Sequence, residues 1–322
     1  MLIMSVHQAT AGVTDADSAA LQHTRCPICE TDGSDRELYA MNFRPQDLNG
    51  EVFSARRVPD RLHYRMVRCQ RCGLLRSDPI LPIRELARLY ESSRFTYQTE
   101  ARFARATYRS YLEHALPLVR ERSRLMEIGC GSGFFLREAL RLGFQEVWGV
   151  EPSTEAISKA DDDVRRTIRP GLYARDTFPA NHFDVICGFQ VLDHTPDPAG
   201  VLLACIKDLK PGGVALFINH DCGGLSNRLL GELSPIIDVE HTVLFDKRTM
   251  RRIFEKCGFV VREVFSVRNT YPLSYWTKLA PLPRALKSPL LSLLDSVALG
   301  KIPITLRAGN LGIIATKAHL NA

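Results

Sequence analysis

The sequence predicts an α/β protein built on a parallel, doubly wound sheet, with a small separate domain at its N-terminus. Three observations carry this prediction. From Arg124 onward, short apolar strands alternate with helical segments, a glycine-rich turn joins the first strand to its helix, and two CxxC pairs bound the upstream segment. Strands of the buried type that alternate with helices are typical of a parallel sheet covered on both faces.

Composition limits the classes of protein that need to be considered. The chain has 322 residues, of which 45% are hydrophobic, so it can bury a core and global disorder is not expected. There is no apolar stretch of the roughly 18 residues that a membrane helix needs, and Met1–Ala20 lacks the pattern of a secretory signal. The net charge of +6 fits nucleic acid, an anionic membrane surface or an anionic substrate. An arginine-rich solvated surface explains that charge equally well, because no run of five like charges occurs.

The N-terminal part of the chain contains a candidate metal site. Residues 1–24 are polar and rich in small side chains, so we expect a poorly ordered tail. Residues 25–78 form the predicted metal-binding domain, because they contain two CxxC pairs and four thiolates close a tetrahedral Zn²⁺ shell. We therefore predict one structural Zn²⁺, held by Cys26, Cys29, Cys69 and Cys72.

A helical connector is predicted for residues 79–122. Its helices are expected at Ile83–Tyr90 and at about Glu100–Val119, after the prolines at positions 79 and 82. Tyr90, Phe95 and Tyr97 either line a substrate cleft or pack these helices.

The elements of the main domain, residues 123–275, follow in order. Asp197 is the predicted N-cap of one helix, and Pro198 is its first residue. Lys210–Gly213 is predicted to be a turn. Gly258 is predicted to end another helix. The predicted strands are Leu125–Ile128, Val147–Val150, Phe183–Phe189, Val214–Asn219 and Phe259–Val267, and Leu311–Thr316 follows beyond this domain as a last strand. The predicted helices are Phe134–Leu142, one starting at Ser153, Pro198–Leu209 and Lys247–Cys257.

Residues 276–322 are expected to add a helix and the last strand. Within them, Leu279–Leu299 is rich in leucine and proline. A helix packed on the sheet is the favoured interpretation. An amphipathic lid and a weak contact with a membrane surface remain open.

The glycine-rich turn indicates a ligand. Glu127–Gly133 reads Glu-Ile-Gly-Cys-Gly-Ser-Gly, directly after a strand and before a helix. Glycine allows a sharp turn and a close approach of backbone to ligand, and the helix N-terminus presents free N–H groups. Phe134 stands where a dinucleotide fingerprint has its third glycine, so a ligand without a pyrophosphate is indicated. Glu151, at the end of the next strand, is suited to ribose hydroxyls.

In order and spacing, these motifs resemble those of the class I S-adenosylmethionine-dependent methyltransferases. Glu127–Gly133 resembles their first motif, Val150–Ser153 their second, Asn181–Ile186 their fourth strand, and Leu209–Gly213 the turn before their fifth. The resemblance implies a Rossmann-like seven-stranded sheet with S-adenosylmethionine at its edge. The methionine part would lie on the glycine loop, the ribose on Glu151, and the sulfonium near Phe189 and Gln190. Asp176 is the only candidate for the family's acid near adenine. The cofactor-binding residues expected from the resemblance are Glu127, Gly129, Cys130, Gly131, Gly133, Glu151, Pro152, Phe189 and Gln190.

Three histidines are candidates for catalysis. Methyl transfer chiefly needs alignment of the reactants, and an oxygen or carbon acceptor also needs a base, for which histidine is suited at neutral pH. His194 is the first candidate, because it follows the fourth strand, and we expect Asp193 to orient it. His220 follows the next strand, and His241 lies in a segment that resembles a substrate-side loop. Structural roles are equally compatible with all three.

Several functions remain open. An N-terminal Cys₄ domain before this type of domain resembles the C-methyltransferases of deoxysugar pathways. A small-molecule acceptor is therefore expected, methylated at carbon or oxygen, such as a sugar, nucleotide sugar or related metabolite. The alternatives are an RNA methyltransferase and a non-catalytic subunit that binds S-adenosylmethionine. Nucleic acid is not the expected substrate, because the Asn-Pro-Pro-Tyr type of motif is absent after the fourth strand. The paired cysteines favour a reducing compartment, the cytoplasm.

Overall fold

A computed structural model describes residues 20–31, 33, 35–44, 48, 53, 61–93, 98–280 and 282–318. Residues 98–102 and 284 are described by their backbone alone. Phe95 and Tyr97 lie outside the described residues, as do residues 1–19 of the predicted tail. For residues 20–24, however, the prediction of a poorly ordered tail is wrong. Gln22 pairs with Ile80 through two backbone hydrogen bonds, and the backbone N–H of Thr24 donates to Asp78 at 2.6 Å.

The N-terminal sheet is completed by a strand from the second half of the chain. Strands β1 (Asp35–Tyr39), β2 (Met66–Cys69) and β3 (Leu75–Ser77) are antiparallel. The short strand β9 (Val243–Leu244) pairs with β3 as the fourth strand. Residues on either side of the predicted domain boundaries thus share one sheet.

The connector is helical, as predicted. Helix α1 spans Ile83–Glu91 and α2 spans Gln98–Ala115. A short 3₁₀ turn, Leu116–Leu118, follows α2.

The central sheet has seven strands in the order β10-β13-β8-β7-β4-β5-β6. Only β13 runs antiparallel to its neighbours. This is the doubly wound, Rossmann-like α/β fold that the sequence predicts, including the number of strands implied by the resemblance. The strands are β4 (Arg124–Ile128), β5 (Glu146–Glu151), β6 (Ile168–Pro170), β7 (Phe183–Phe189), β8 (Leu209–His220), β10 (Phe259–Ser266) and β13 (Asn310–Lys317).

Helices connect these strands, and local capping explains where two of them begin. Asp197 accepts the N–H of Gly200 at the start of α6, as predicted. Asp246 and Thr249 form a reciprocal capping box at the start of α8. The helices are α3 (Phe134–Arg141), α4 (Thr154–Ser158), α5 (Asp162–Arg165), α6 (Pro198–Asp208), α7 (Leu225–Leu230) and α8 (Lys247–Lys256).

The predicted turn at Lys210–Gly213 belongs to a strand. Strand β8 begins at Leu209, opposite Phe183 of β7, and the next paired residues are Val185 and Val214. The residues between form a bulge, because β8 has four residues there and β7 has one. The glycine pair therefore bends the strand instead of ending it.

A small subdomain is inserted between β10 and β13. It contains the strand pair β11 (Asn269–Pro272) and β12 (Pro303–Leu306), with helices α9 (Leu273–Leu279) and α10 (Arg284–Ser296) between them. Helix α10 packs mainly on α9 and on the 3₁₀ turn Leu299–Lys301. The favoured prediction, a helix packed on the sheet, is therefore wrong. None of the helices in the described part of the chain is long and apolar enough to cross a membrane.

Candidate functional site

A cavity of about 900 Å³ opens at the carboxyl edge of the central sheet. Its wall includes the ends of β4, β5, β7 and β8, together with residues of α1 and α9. In open parallel sheets ligands bind at this edge. The cavity is also within the size range of sites for small molecules.

The glycine loop reaches the cavity through Glu127, Ile128 and Gly129, whereas Gly131 and Gly133 are not among the residues that line it. Gly129 and Gly133 have φ angles of 66° and 69°, in the left-handed region that L-residues with side chains avoid. A Cβ on Gly129 would lie 3.0 Å from Val191, and one on Gly133 would lie 3.0 Å from Val164. Both the backbone conformation and the close neighbours therefore require glycine, and the loop passes directly from β4 into α3.

Glu151 ties this loop to the end of β5. Its carboxylate accepts the N–H of Gly131 at 2.8 Å and that of Ser153 at 2.9 Å. Burial raises the pKa of Glu151, and the two backbone donors lower it in part. The side chain also lines the cavity, so its remaining lone pairs can accept hydroxyl groups of a ligand.

Two buried oxygens beside the loop have no hydrogen-bond partner among the described residues. They are Oε2 of Glu127 and Oε1 of Gln190, and both side chains line the cavity. Burial, together with the nearby charge of Glu151, holds the pKa of Glu127 well above its usual range. Unsatisfied buried acceptors carry a free-energy cost, and donors on a ligand would remove it. A ligand with an ammonium group and vicinal hydroxyls, such as S-adenosylmethionine, fits this set of acceptors.

The other predicted cofactor residues divide into two groups. Pro152 and Phe189 line the cavity, and Phe189 stacks on Tyr108 with ring centroids 4.0 Å apart. Cys130 is buried and its Sγ is directed at Gly149, so it packs behind the loop. Asp176 is bound to Lys207 at 2.7 Å on the surface. Near it, the cavity is lined instead by Gly171 to Arg175.

The expected pairing of Asp193 with His194 is not what the structure contains. The fully buried Asp193 carboxylate contacts Nδ1 of His220 at 2.6 Å and also accepts the backbone N–H of His220 at 2.9 Å. The amide of Asn219 donates to its other oxygen. Because β7 and β8 are adjacent parallel strands, the turn after β7 and the end of β8 meet at the sheet edge, which brings Asp193 to His220, whereas His194 contacts Tyr90.

The three histidines nevertheless lie in a row along the cavity. His241 is in the middle, with ring centroids 4.7 Å from His194 and 4.4 Å from His220. His194 contacts the Tyr90 hydroxyl through Nδ1 at 3.2 Å, and His241 contacts the carbonyl of Ile236 through Nδ1 at 2.9 Å. All three rings line the cavity. The structure therefore brings the three predicted histidines together, but the contact with Asp193 is made by His220 and not by His194.

An aromatic part of the cavity wall was missed by reasoning from the sequence. Tyr271 belongs to β11, and Tyr275 and Trp276 belong to α9, where the Tyr271 and Tyr275 rings lie 4.4 Å apart. Their spacing of four and five residues is a weak signal that could have identified them. Their position at the cavity depends on the fold of the inserted subdomain.

The four predicted metal-binding cysteines form one cluster. Their Sγ atoms all lie within 4.8 Å of one another, and Cys26 and Cys72 are 3.4 Å apart. Tetrahedral Zn²⁺ with Zn–S bonds of about 2.3 Å separates its sulfurs by about 3.8 Å. Burial raises the pKa of Cys69, but hydrogen bonds from the backbone N–H groups of Cys72 and Arg71 and from the thiols of Cys72 and Cys26 together lower it to about 7. The donor set and its spacing fit a closed zinc site.

Comparison with known proteins gives a family for the main domain. A family model described as a methyltransferase domain matches residues 100–264, which is half of the chain. An uncharacterised methyltransferase of Schizosaccharomyces pombe is 32% identical over 118 residues, covering 31% of this chain and 41% of that protein.

A ubiquinone biosynthesis O-methyltransferase of Methylococcus capsulatus is 31% identical over 124 residues, covering 37% of this chain and 50% of that protein. The chain spans half or less of the length of these two relatives. A solved structure of a SAM-dependent methyltransferase from Archaeoglobus fulgidus has 18% identity and a TM-score of 0.45, and covers 69% of this chain and 99% of that one.

Proposed function

The chain belongs to the methyltransferase-domain family, and we propose that it transfers the methyl group of S-adenosylmethionine to a hydroxyl oxygen of a small, ring-containing acceptor. The observation that carries this proposal is the Asp193–His220 pair, which lies on the same cavity as the glycine loop.

Binding of S-adenosylmethionine falls to the residues around the loop. Glu151 would accept the ribose hydroxyls, and the unpartnered oxygen of Glu127 would accept the ammonium group of the methionine part. Phe189 and Gln190 would flank the sulfonium. When bound, the cofactor supplies a methyl group that is already activated for in-line displacement.

His220 is the base in this proposal. An ionised carboxylate can only accept, so Asp193 holds a proton on Nδ1 of His220 and leaves Nε2 as the acceptor. The acceptor hydroxyl would give its proton to Nε2 as its oxygen bonds to the methyl carbon and the bond between that carbon and sulfur breaks, which would release S-adenosylhomocysteine. Asp193 then stabilises the imidazolium that forms. His194, predicted first, becomes a residue that positions the acceptor together with His241.

The composition of the cavity favours one kind of acceptor. Tyr271, Tyr275 and Trp276 provide flat aromatic surface in the same cavity as the histidines, which suits a ring with few polar groups. A sugar or nucleotide sugar, expected from the sequence, would leave many hydroxyls against this wall. The name of the Methylococcus relative, an O-methyltransferase of ubiquinone biosynthesis, agrees with oxygen as the methylated atom.

The cysteine cluster would bind one structural Zn²⁺. Four cysteine ligands leave no open position for catalysis, so the metal would stabilise the N-terminal domain at residues 25–78. The described cysteines form no disulfide, which agrees with a reducing compartment such as the cytoplasm.

The test is an acceptor screen with zinc-loaded protein, in which formation of S-adenosylhomocysteine is measured. Hydroxylated aromatic compounds, nucleotide sugars and RNA are compared. We expect turnover with a ring hydroxyl, and His220→Ala should lower it by about a hundredfold or more, because a positioned base contributes that much. Affinity for S-adenosylmethionine should be unchanged.

His182→Ala is the matched control, because His182 precedes β7 at the opposite edge of the sheet. Full turnover by His220→Ala would remove His220 as the base. Turnover with RNA alone would favour the nucleic-acid alternative, and none with any acceptor would favour a non-catalytic subunit.

A further inference from the structure

Helix α10 has an uncovered line of apolar side chains, which we call the leucine stripe. It consists of Leu286, Leu290, Leu293 and Val297, spaced four, three and four residues apart. At 100° per residue these four lie within about 60° of one another around the helix axis. Their exposed fractions are 60%, 37%, 59% and 52%. A single exposed leucine is ordinary, but a continuous line of four on one helix requires an explanation.

The buried side of the same helix lies next to this stripe. Leu291 and Leu294 turn inward with Lys287, whose Nζ donates to the carbonyl of Lys278 on α9 at 2.9 Å. The apolar arc of α10 is therefore wider than the surface that covers it. The far side of the helix is polar, with Ser288, Ser292 and Asp295. Helix α10 therefore has a larger apolar face than its packing within the subdomain covers.

Positive charge is concentrated in the same subdomain. Residues 268–307 contain six basic side chains and one acidic side chain, Asp295, whereas the whole chain has a net charge of only +6. The basic residues are Arg268, Lys278, Arg284, Lys287, Lys301 and Arg307. An apolar helix face within a basic region complements a surface that is apolar inside and anionic outside.

We propose that the leucine stripe docks on an anionic lipid surface, with α10 lying flat in the plane of the headgroups. The helix has 13 residues and does not meet the requirements for a membrane span, so insertion in the plane is the suitable geometry. A second copy of the chain is a weaker occupant. Stable protein interfaces use roughly 20–30 residues from each partner, and this stripe offers four.

The location of the stripe connects the lipid surface to the cavity. Helix α9 lines the cavity with Tyr275, Trp276 and Leu279, and α10 packs on the same helix. An apolar acceptor dissolved in the lipid would thus enter the cavity beside α9. The entry of an acceptor from the lipid rests on the proposed methyl transfer, whereas the docking of α10 on the lipid does not.

The experiment is flotation of the full chain with vesicles. Vesicles of equimolar phosphatidylcholine and phosphatidylglycerol are compared with pure phosphatidylcholine, and bound protein is measured. We expect binding to the anionic vesicles. The triple variant Leu286→Ser, Leu290→Ser, Leu293→Ser should lower the partition coefficient about tenfold or more, because membrane binding scales with buried apolar area.

The control is Met41→Ser, Leu118→Ser, Val260→Ser, which removes three exposed apolar side chains outside the subdomain and should bind like the original protein. Equal binding of stripe and control variants, or no binding by the original protein, would overturn the proposal. So would a dimer in solution that only the stripe variant loses. Vesicle binding without affinity for S-adenosylmethionine would contradict the proposed function alone.

Discussion

At the scale of single residues, Glu127 is the residue that best tests whether the glycine loop binds a positively charged ligand. Its carboxyl group is fully buried, and one oxygen has no partner among the described residues. Such a group destabilises an empty protein and gains most from a ligand that donates to it. Glu127→Gln keeps the size of the side chain and removes its charge. This variant therefore separates the cost in the empty protein from the gain on ligand binding.

The stability of the ligand-free protein should therefore depend on pH at this site. The pKa of Glu127 in the fold lies above its unfolded value of 4.5. The favourable contribution of the Glu127 side chain to the stability of the fold is present below pH 4.5 and is lost as pH rises through the folded pKa. We predict that Glu127→Gln raises the thermal midpoint relative to the original protein at pH 8 and not at pH 4, while affinity for S-adenosylmethionine falls about tenfold or more.

Glu138→Gln is the control for that measurement. Glu138 is equally buried but forms ion pairs with Arg109 and Arg141, so the same change should lower stability at pH 8. Identical pH profiles for Glu127→Gln and the original protein would mean that the buried carboxyl does not destabilise the empty site.

The sequence predicted some of these residues better than others, for a physical reason. The glycines of the loop from Glu127 to Gly133 follow from local geometry, since a strand, a tight turn and a helix demand them, and Glu151 follows from its place at the end of the next strand. The Asp193–His220 contact depends on two strands lying side by side. Neighbours in sequence, Asp193 and His194, suggested a pair, but the turn after β7 places the Asp193 carboxylate on His220.

At the scale of elements, strand β3 links the cysteine cluster to the histidines. Ser77 of β3 donates two hydrogen bonds at this junction: its N–H donates to the carbonyl of Thr242, and its hydroxyl donates to the carbonyl of His241. Strand β9 then pairs with β3. The N-terminal domain therefore supports the loop that carries His241.

Loss of one cysteine ligand should affect stability through this link. We predict that Cys69→Ser loses bound zinc and lowers the thermal midpoint by about 10 °C or more, because metal-binding free energy is folding free energy. Metal content and thermal unfolding measure this on one sample. Cys222→Ser, at a thiol outside the cluster, should keep both values. A full complement of zinc in Cys69→Ser would contradict the proposed ligand set.

The limits of the helices and strands followed closely from periodicity and capping. Strand β7 has the predicted bounds, and α6 begins at the predicted cap. What covers each element was harder to predict, because packing is decided by distant residues. The leucines of α10 match a buried helix in sequence, yet the fold leaves the leucine stripe exposed.

At the scale of the whole molecule, the cavity joins parts of the chain that are far apart in sequence. The glycine loop, the histidine row, α1 and α9 all contribute to its wall. The fold class could be predicted, since alternating strands and helices repeat along the chain. The shape of the cavity could not, because α1 precedes the central sheet and α9 is inserted near its end.

The central claim is that this cavity binds S-adenosylmethionine through Glu151 and the glycine loop. Calorimetric titration of folded, zinc-loaded protein tests it most directly. The account predicts micromolar binding by the original protein, loss of binding in Glu151→Ala, and unchanged binding in Glu146→Ala, which removes an exposed acid at the other end of β5. No binding by the original protein, or equal binding by Glu151→Ala, would contradict it.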